Sequence, residues 1–462
     1  MTDELSFYNA RILTMEHGMD LIDGELWVEG DRITYVGREY SGPEYPGPEY
    51  PGPGGMAAAR GPGSGEGSEP FTAPGPSPSW DREIDVKGNL LMPGFKNAHT
   101  HSAMTFLRSY ADDLPLDQWL QEQVFPMEAK LRPEDIGWLV KLAVLEYLTS
   151  GITACFDMYF HQEMVAKAAV ECGFRMVMVS GLNDFTSSLE ELEEHYRMFN
   201  QYHPLIGFRL GFHAEYTTSE ELLKGVAVLA DKYHAPVYTH NSETEREVRQ
   251  CVERHGMTPT AYLDSLGVFR YGGGGFHCVF MTEEDLEICR KRGLAVVANP
   301  GSNTKLASGI PCLADMKDKG ILLALGTDGP ASNNCLDMFR EMFLATGLAK
   351  LKKQDAAAMP AEDVLFMAAS GGAKAMGLTD CDCLAVGKQA DLIMIDLHQP
   401  NMQPIHHIVK NLVYSGSKQN VKLTMVAGKI LYEDGAFFVG ESPETIYKEV
   451  ERIVQRIKTD DR

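Results

Sequence analysis

The chain lacks the features that would carry it into or onto a membrane. No uninterrupted apolar stretch is long enough to cross a bilayer. The opening residues, MTDELSFYNARILTM, turn acidic at once instead of placing a basic segment before an apolar one, so no secretory signal is expected. Basic residues are scarce: 42 Lys and Arg stand against 65 Asp and Glu, a formal net charge of -23. A surface of that sign repels phosphate backbones and anionic headgroups, which argues against nucleic acid and membrane as partners and favours a small neutral or cationic substrate. Cysteine is sparse and odd in number, with nine residues scattered through apolar segments of a chain too large to need staples. These read as free thiols in a reducing cytoplasm. Cys381 and Cys383, one residue apart and without a second pair, read as surface-loop thiols rather than a zinc knuckle. There is no GxSxG elbow and no histidine arrangement to match a cysteine, so neither a serine nor a cysteine nucleophile is indicated.

What is present suits a large catalytic domain with a smaller companion. The 462 residues are 44% hydrophobic and 23% charged, the balance of a globular protein with a substantial core. Short alternating apolar runs occupy residues 6–37 (FYNARILTM, GELWVEGDRITYVG) and return in ADLIMIDL and VKLTMVAGKILYEDGAFF near the other end. Two β-rich ends around a long middle predict a small β-sandwich-like domain built from 1–91 and 385–462. Within it, residues 41–79 form a Gly/Pro-rich stretch with a GPEYP repeat and little to bury, which reads as a disordered loop. From about residue 91 the rhythm becomes strand, loop, helix. The runs LLMPGF, GITACF, FRMVMVSG, IGFRLGF, PVYTH, GFHCVF, LAVVANP and ILLALGTD alternate with helical stretches such as DIGWLVKLAVLEYLTS and EELLKGVAVLADKY. Eight continuously apolar strands separated by helices predict an α/β fold, a (β/α)8 TIM-like barrel over 92–384.

In such barrels the active site sits at the carboxyl ends of the strands, so a polar residue closing an apolar run is suspect by position. His99 and His101 close the first run, His213 the fourth, His240 the fifth, His277 the sixth and Asp328 the eighth. His99 and His101 are two apart, so on a strand both imidazoles point the same way and can reach one ion. Imidazole nitrogens with one carboxylate suit zinc, and iron(II) accepts the same set. Glu243, three residues after His240, either belongs to an ordinary helix start capped by Asn241 or Ser242, or turns its carboxylate to the substrate from the same rim. A carboxylate ending eight apolar residues, as Asp328 does, must be paired, hydrogen-bonded or bound to metal.

The order HTH, HNSE, FHC and TDG between sandwich-like ends resembles the amidohydrolase superfamily over nearly the whole chain. PGFKNAHTHSAMTFLRSYADDLPLDQWL, FPMEAKL, NPGSNTKLASGI and GTDGPASNN further resemble its 5′-methylthioadenosine/S-adenosylhomocysteine deaminase family. The resemblance implies one divalent ion, most simply Zn2+ with Fe2+ as the alternative, held by His99, His101, His240 and Asp328. Relatives with two ions carry a carboxylated lysine at the end of strand 4, where this chain has His213 in GFHAEY. It also implies hydrolytic deamination of a purine nucleoside with water as co-substrate. Glu243 would protonate the ring nitrogen, His277 would orient the attacking water, and Asp328 would take its proton. Glu128 would hold the ribose hydroxyls, His213 would touch purine or ribose, and Trp119 would form an apolar wall.

One departure bears on the substrate. Relatives that accept S-adenosylhomocysteine grip its carboxylate with arginines between strands 3 and 4, where this chain is acidic and offers only Arg197 and Arg209. Adenosine or 5′-methylthioadenosine is therefore favoured over S-adenosylhomocysteine. Two other readings stand beside this one: a sibling deaminase acting on guanine, a pterin or a triazine, and a non-catalytic scaffold. The sequence leaves homo-oligomerisation open.

Overall fold

A computed structural model describes residues 4–38, 80–114 and 118–459. The Gly/Pro-rich stretch 41–79 lies outside the described residues. Five strands come first: β1 Glu4–Leu13, β2 Leu21–Glu29, β3 Arg32–Gly37, β4 Arg82–Asp85 and β5 Leu90–Pro93. Eight barrel strands follow: β6 Phe95–Thr100, β7 Ile152–Asp157, β8 Arg175–Val179, β9 Ile206–Ala214, β10 Val237–Asn241, β11 Gly273–His277, β12 Leu294–Ala298 and β13 Leu323–Leu325. The chain then returns to the first sheet with β14 Leu392–Ile395, β15 Val421–Val426, β16 Lys429–Glu433 and β17 Ala436–Phe437.

The chain ends form one mixed sheet in the order β17-β16-β15-β14-β5-β1-β2-β3, with β4 also paired to β1. Its β3 edge curls back to the segment before β14, where the Ile33 N–H donates to the Lys388 carbonyl at 2.9 Å and the Ala390 N–H to that of Asp31 at 2.8 Å. Alternate residues such as Leu5 and Phe7, with Leu26, Val28, Leu392 and Leu423, fill the enclosed core. Asn9 takes a left-handed φ of 54° where the β1–β2 register slips between Phe7 and Ala10, a bulge that asparagine tolerates better than most residues.

Strands β6 to β13 pair in chain order, all parallel. The ring closes between β13 and β6 through single bonds instead of a ladder. The Asp328 N–H donates to the His99 carbonyl at 2.9 Å, and the Asn97 side chain accepts the Thr327 N–H at 2.8 Å while donating to Thr327 Oγ1 at 2.7 Å. Gly326 is required at this seam, because a Cβ there would lie 2.7 Å from the His99 backbone nitrogen. The interior is filled by Ala98, Phe156, Val177, Tyr238, Phe276 and Val297, and the amino-terminal mouth is plugged by the short helix Gly372–Met376, whose Ala375 carbonyl accepts from Tyr238 Oη at 2.7 Å. The last helix, Pro443–Thr459, buries Ile446, Val450, Ile453 and Ile457 and packs along the barrel helix Pro133–Thr149. No helix among the described residues is long and apolar enough to cross a membrane.

The structure corrects two expectations. The run LLMPGF is not one barrel strand: Leu90–Pro93 belongs to the terminal sheet, paired with β1 and β14, and the barrel begins at Phe95. An apolar run satisfies either sheet equally, so its composition could not divide it. Cys381 and Cys383 are buried, not on a surface loop. Cys381 lies close enough to Asp391 and Arg175, at the seam between barrel and terminal sheet, to feel their charges.

That seam contains a buried ion pair. Arg175 of β8 meets both oxygens of Asp391 at 2.7 and 2.9 Å, and Asp391 also accepts the Ala427 N–H at 2.7 Å. Burial opposes a charge on Asp391, but the guanidinium beside it holds the carboxyl below its usual range. Removing one partner of such a pair strands the other charge in the interior, so Arg175→Ala is expected to lower unfolding free energy by about 3–5 kcal/mol. Urea denaturation measures this directly, and a loss below about 1 kcal/mol, the value of a surface pair, would show that the seam is solvated.

Candidate active site

The strand-end residues converge. His99 and His101 leave β6 on the same side, with ring centroids 4.9 Å apart. His240, near the end of β10, lies 4.8 Å from His99 and 5.5 Å from His101. His277, the last residue of β11, lies 5.6 Å from His240. Asp328, three residues beyond β13, places Oδ1 3.3 Å from His101 Nε2 and 3.6 Å from His99 Nε2, and Oδ2 3.8 Å from His277 Nε2. Two overlapping groups result, His99–His240–His277 and His99–His101–Asp328, and in each the donor atoms lie within 4.8 Å of one another. Ser242, His277, Cys278 and Asp328 all take left-handed φ values, 52°, 71°, 47° and 60°. Each such residue costs on the order of 1–3 kcal/mol, strain concentrated at the ends of β10, β11 and β13 where the side chains must turn inward.

The donor set fits a divalent cation. His99 is fully buried, and neither ring nitrogen has a hydrogen-bond partner among the described residues. A buried orphan imidazole is costly unless a ligand satisfies it. The other three histidines are each oriented through Nδ1, by the Met158 carbonyl at 2.5 Å for His101, the His213 carbonyl at 2.7 Å for His240 and Asn303 Oδ1 at 2.8 Å for His277. Donation from Nδ1 leaves each Nε2 lone pair free to face the centre, the usual support of a ligating histidine. Burial and the neighbouring imidazoles hold His99 and His240 well below the usual histidine range. Burial also opposes a charge on His101, yet the Asp328 carboxylate beside it lifts that imidazole to about 9. The cluster thus draws a positive charge towards Asp328, which itself stays well below the usual carboxylate range despite its burial.

Glu243 stands free of the helix start. The cap is Thr244, whose Oγ1 accepts the Glu247 N–H at 3.2 Å, and Glu247 in return accepts the N–H groups of Ser242 and Glu243, each at 2.8 Å. Capping by Asn241 or Ser242 is therefore not what the fold uses. The Glu243 carboxylate takes a bond from Ser308 Oγ at 3.3 Å and sits 3.8 Å from His277 Nδ1. Burial pushes its carboxyl up, against the opposing pull of His277.

The remaining candidates divide. The His213 carbonyl positions His240, and its ring Nδ1 meets Thr217 Oγ1 at 2.9 Å, with burial lowering the imidazole to about 4. Glu128 accepts from Tyr159 Oη at 2.6 Å, and burial raises its carboxyl to about 7 against the pull of that bond and of His101. Trp119 belongs to the main apolar core, and among the described residues no hydrogen bond or ring contact ties it to the histidine cluster. Neither arginine of the region from β8 to β9, Arg197 or Arg209, is directed there. Arg209 donates to the Met376 carbonyl at the plugged mouth (2.9 Å), and Arg197 lies on the outer helix Leu189–Phe199 beside Glu193. Sequence reasoning gave no role to Ser302 and Asn303, which follow β12 and bond Asp328 Oδ2 at 2.6 Å and His277 Nδ1 at 2.8 Å. Their signal was a polar segment, NPGSN, directly after the apolar run LAVVA.

Comparison with known proteins places this architecture. The family model described as "Amidohydrolase family" matches residues 90–431. This chain belongs to the amidohydrolase family. It is similar to a 5-methylthioadenosine/S-adenosylhomocysteine deaminase of Thermoanaerobacter pseudethanolicus, 35% identical over 461 residues, 97% of this chain and 99% of the relative. It is also similar to a 5'-deoxyadenosine deaminase of Methanothermobacter thermautotrophicus, 41% identical over 368 residues, 78% and 86% of the two chains. The crystal structure of an adenosine deaminase from Xanthomonas campestris with bound zinc superimposes with a TM-score of 0.86 at 30% identity, covering 99% of each chain. As an amidohydrolase, the protein is a metal-dependent hydrolase acting on carbon–nitrogen bonds, and the histidine cluster is where its chain offers a metal site.

Proposed function

We propose that this amidohydrolase is a hydrolytic deaminase of 6-aminopurine nucleosides with an uncharged 5′ group, such as adenosine or 5′-methylthioadenosine, releasing ammonia and the inosine analogue. The observation that carries the reading is the placement of two carboxylates, Glu243 and Asp328, on either side of His277 above a convergent histidine set. His99, His101, His240 and Asp328 would hold one ion, with zinc favoured by the donor chemistry. Such an ion supplies a Lewis acid that makes water a competent nucleophile near neutral pH. His277, whose Nδ1 is held by Asn303, orients the water through Nε2. Asp328 accepts the water proton at Oδ2 and passes it to the departing amine. Glu243, its carboxyl raised by burial, delivers a proton to the ring nitrogen beside the attacked carbon and makes that carbon electrophilic, then recovers a proton from the adduct hydroxyl as the C–N bond breaks and the carbonyl forms. Glu128, oriented by Tyr159, bonds the ribose hydroxyls; His213 borders the same pocket, and Trp119 supports its wall from the core.

The names of the relatives support adenosine-type substrates, and the two distant arginines support a neutral 5′ group. A substrate carboxylate without its charge-assisted partner forgoes about 1.5–3 kcal/mol, or about 10- to 100-fold in kcat/KM. An ammonia-release panel of adenosine, 5′-methylthioadenosine, S-adenosylhomocysteine, guanine and a pterin is expected to rank the first two highest, with S-adenosylhomocysteine lower by that margin. A panel in which no purine nucleoside reacts would overturn the reading.

A further inference from the structure

Glu341 is a fully buried carboxylate on the helix Met338–Lys353, outside the barrel wall and outside the site described above. Its Oε2 accepts the Gly301 N–H at 2.8 Å, and its Oε1 accepts from Asn333 Nδ2 at 2.8 Å. The same Asn333 amide donates to the Thr327 carbonyl at 2.6 Å. One side chain therefore ties together two loops that follow neighbouring strands. The loop after β12 leads at once into the short helix Pro300–Lys305, which carries Ser302, donor to Asp328 Oδ2, and Asn303, acceptor from His277 Nδ1. The loop after β13 carries Asp328 itself, one residue past Thr327. Gly301 leaves room for this clasp: a Cβ there would lie 2.4 Å from Glu341 Oε1 and 2.6 Å from Asn333 Nδ2.

We propose that Glu341 is a positioning residue for the proton-handling pair Asp328 and His277, acting through Gly301 and Asn333 on the separation of the two loops. The kinetic part of this inference rests on the deaminase reading; the geometric part does not. Asp328 is held from both sides. Ser302 bonds one carboxylate oxygen, while Asn333 fixes the backbone entering the residue, and both depend on the same buried carboxylate. Burial pushes Glu341 up to about 8, while the Asn333 amide and the Gly301 N–H pull the other way. Both of its oxygens face donors, the arrangement that suits the ionised form. A role confined to capping the helix Pro300–Lys305 would affect stability and leave turnover alone.

Glu341→Gln keeps the shape but sets an amide NH2 against one of two N–H donors, so one arm of the clasp opens. In protein reconstituted to one zinc per chain and acting on adenosine, kcat is expected to fall about 10- to 100-fold, the cost of displacing reacting groups by about an ångström, with KM little changed. A crystal structure of the metal-loaded variant is expected to show the Ser302–Asp328 or Asn303–His277 contact lengthened beyond hydrogen-bond reach. Asn333→Ala opens only the β13 arm, is expected to lower kcat in the same way, and serves if the glutamine variant does not fold. Wild-type kcat in a folded, metal-replete variant, or both contacts retained while only the melting temperature falls, would overturn the proposal. If wild-type protein released no ammonia from any nucleoside, the substrate reading would fail, and the crystallographic distances would still decide Glu341.

Discussion

Replacing Glu243 by glutamine is expected to lower ammonia release by about 100- to 10,000-fold while leaving fold and metal content intact. The reason is chemical. Glutamine preserves the volume and can still accept from Ser308 Oγ, which bonds Glu243 Oε1 at 3.3 Å, but its amide cannot surrender a proton to a ring nitrogen. The pH profile supplies a second readout. Burial raises the Glu243 carboxyl, and an acid catalyst works in its protonated form, so the protonated fraction declines as pH rises through the raised value. Wild-type kcat should therefore show a falling alkaline limb above the ordinary carboxylate range, absent from the residual activity of Glu243→Gln. Steady-state ammonia assays across pH measure both effects. Full turnover in the variant would remove Glu243 as the proton carrier.

Chelation of the protein is expected to abolish ammonia release, and readdition of zinc to restore it. The buried His99 ring, with no hydrogen-bond partner on either nitrogen among the described residues, and the inward Nε2 atoms of His101 and His240 leave the cluster poorly satisfied without a cation. An ion that binds only the folded chain adds stability as the logarithm of its excess, about 4 kcal/mol at a thousandfold excess over Kd. Thermal unfolding should thus shift upward on adding zinc and show little shift in His99→Ala, which should also bind less than one ion by elemental analysis. Activity persisting in protein shown to be free of divalent metal would overturn the ligand assignment.

Much of the site was legible along the chain. Apart from LLMPGF, the apolar runs end close to the ends of barrel strands, and a histidine or aspartate at such a place has few reasons to be there. Hence His99, His101, His240, His277 and Asp328 stood out one by one, and the fold brings all five together. Bonds between distant segments carried no such signal. Ser302 and Asn303 sit in the first turn of the short helix Pro300–Lys305, where the polar segment NPGSN reads equally well as an ordinary helix start. Trp119 sits on an amphipathic helical segment, QWLQEQV, a pattern equally suited to the core position it occupies. LLMPGF was divided between two sheets by strand pairing, which an apolar composition does not encode.

By itself the sequence determined the chemistry on offer. Its periodicity dictated parallel strands and helices, and its strand-end residues supplied imidazoles and carboxylates. The tertiary structure alone decided which atoms face which. The His213 carbonyl directs His240 across 27 residues, Ser302 addresses one oxygen of Asp328 across 26, and Glu341 reaches Gly301 across 40. A hydrogen bond is set by ångström-scale distance and direction, quantities that arise only when the barrel closes and that leave no periodic trace in the chain.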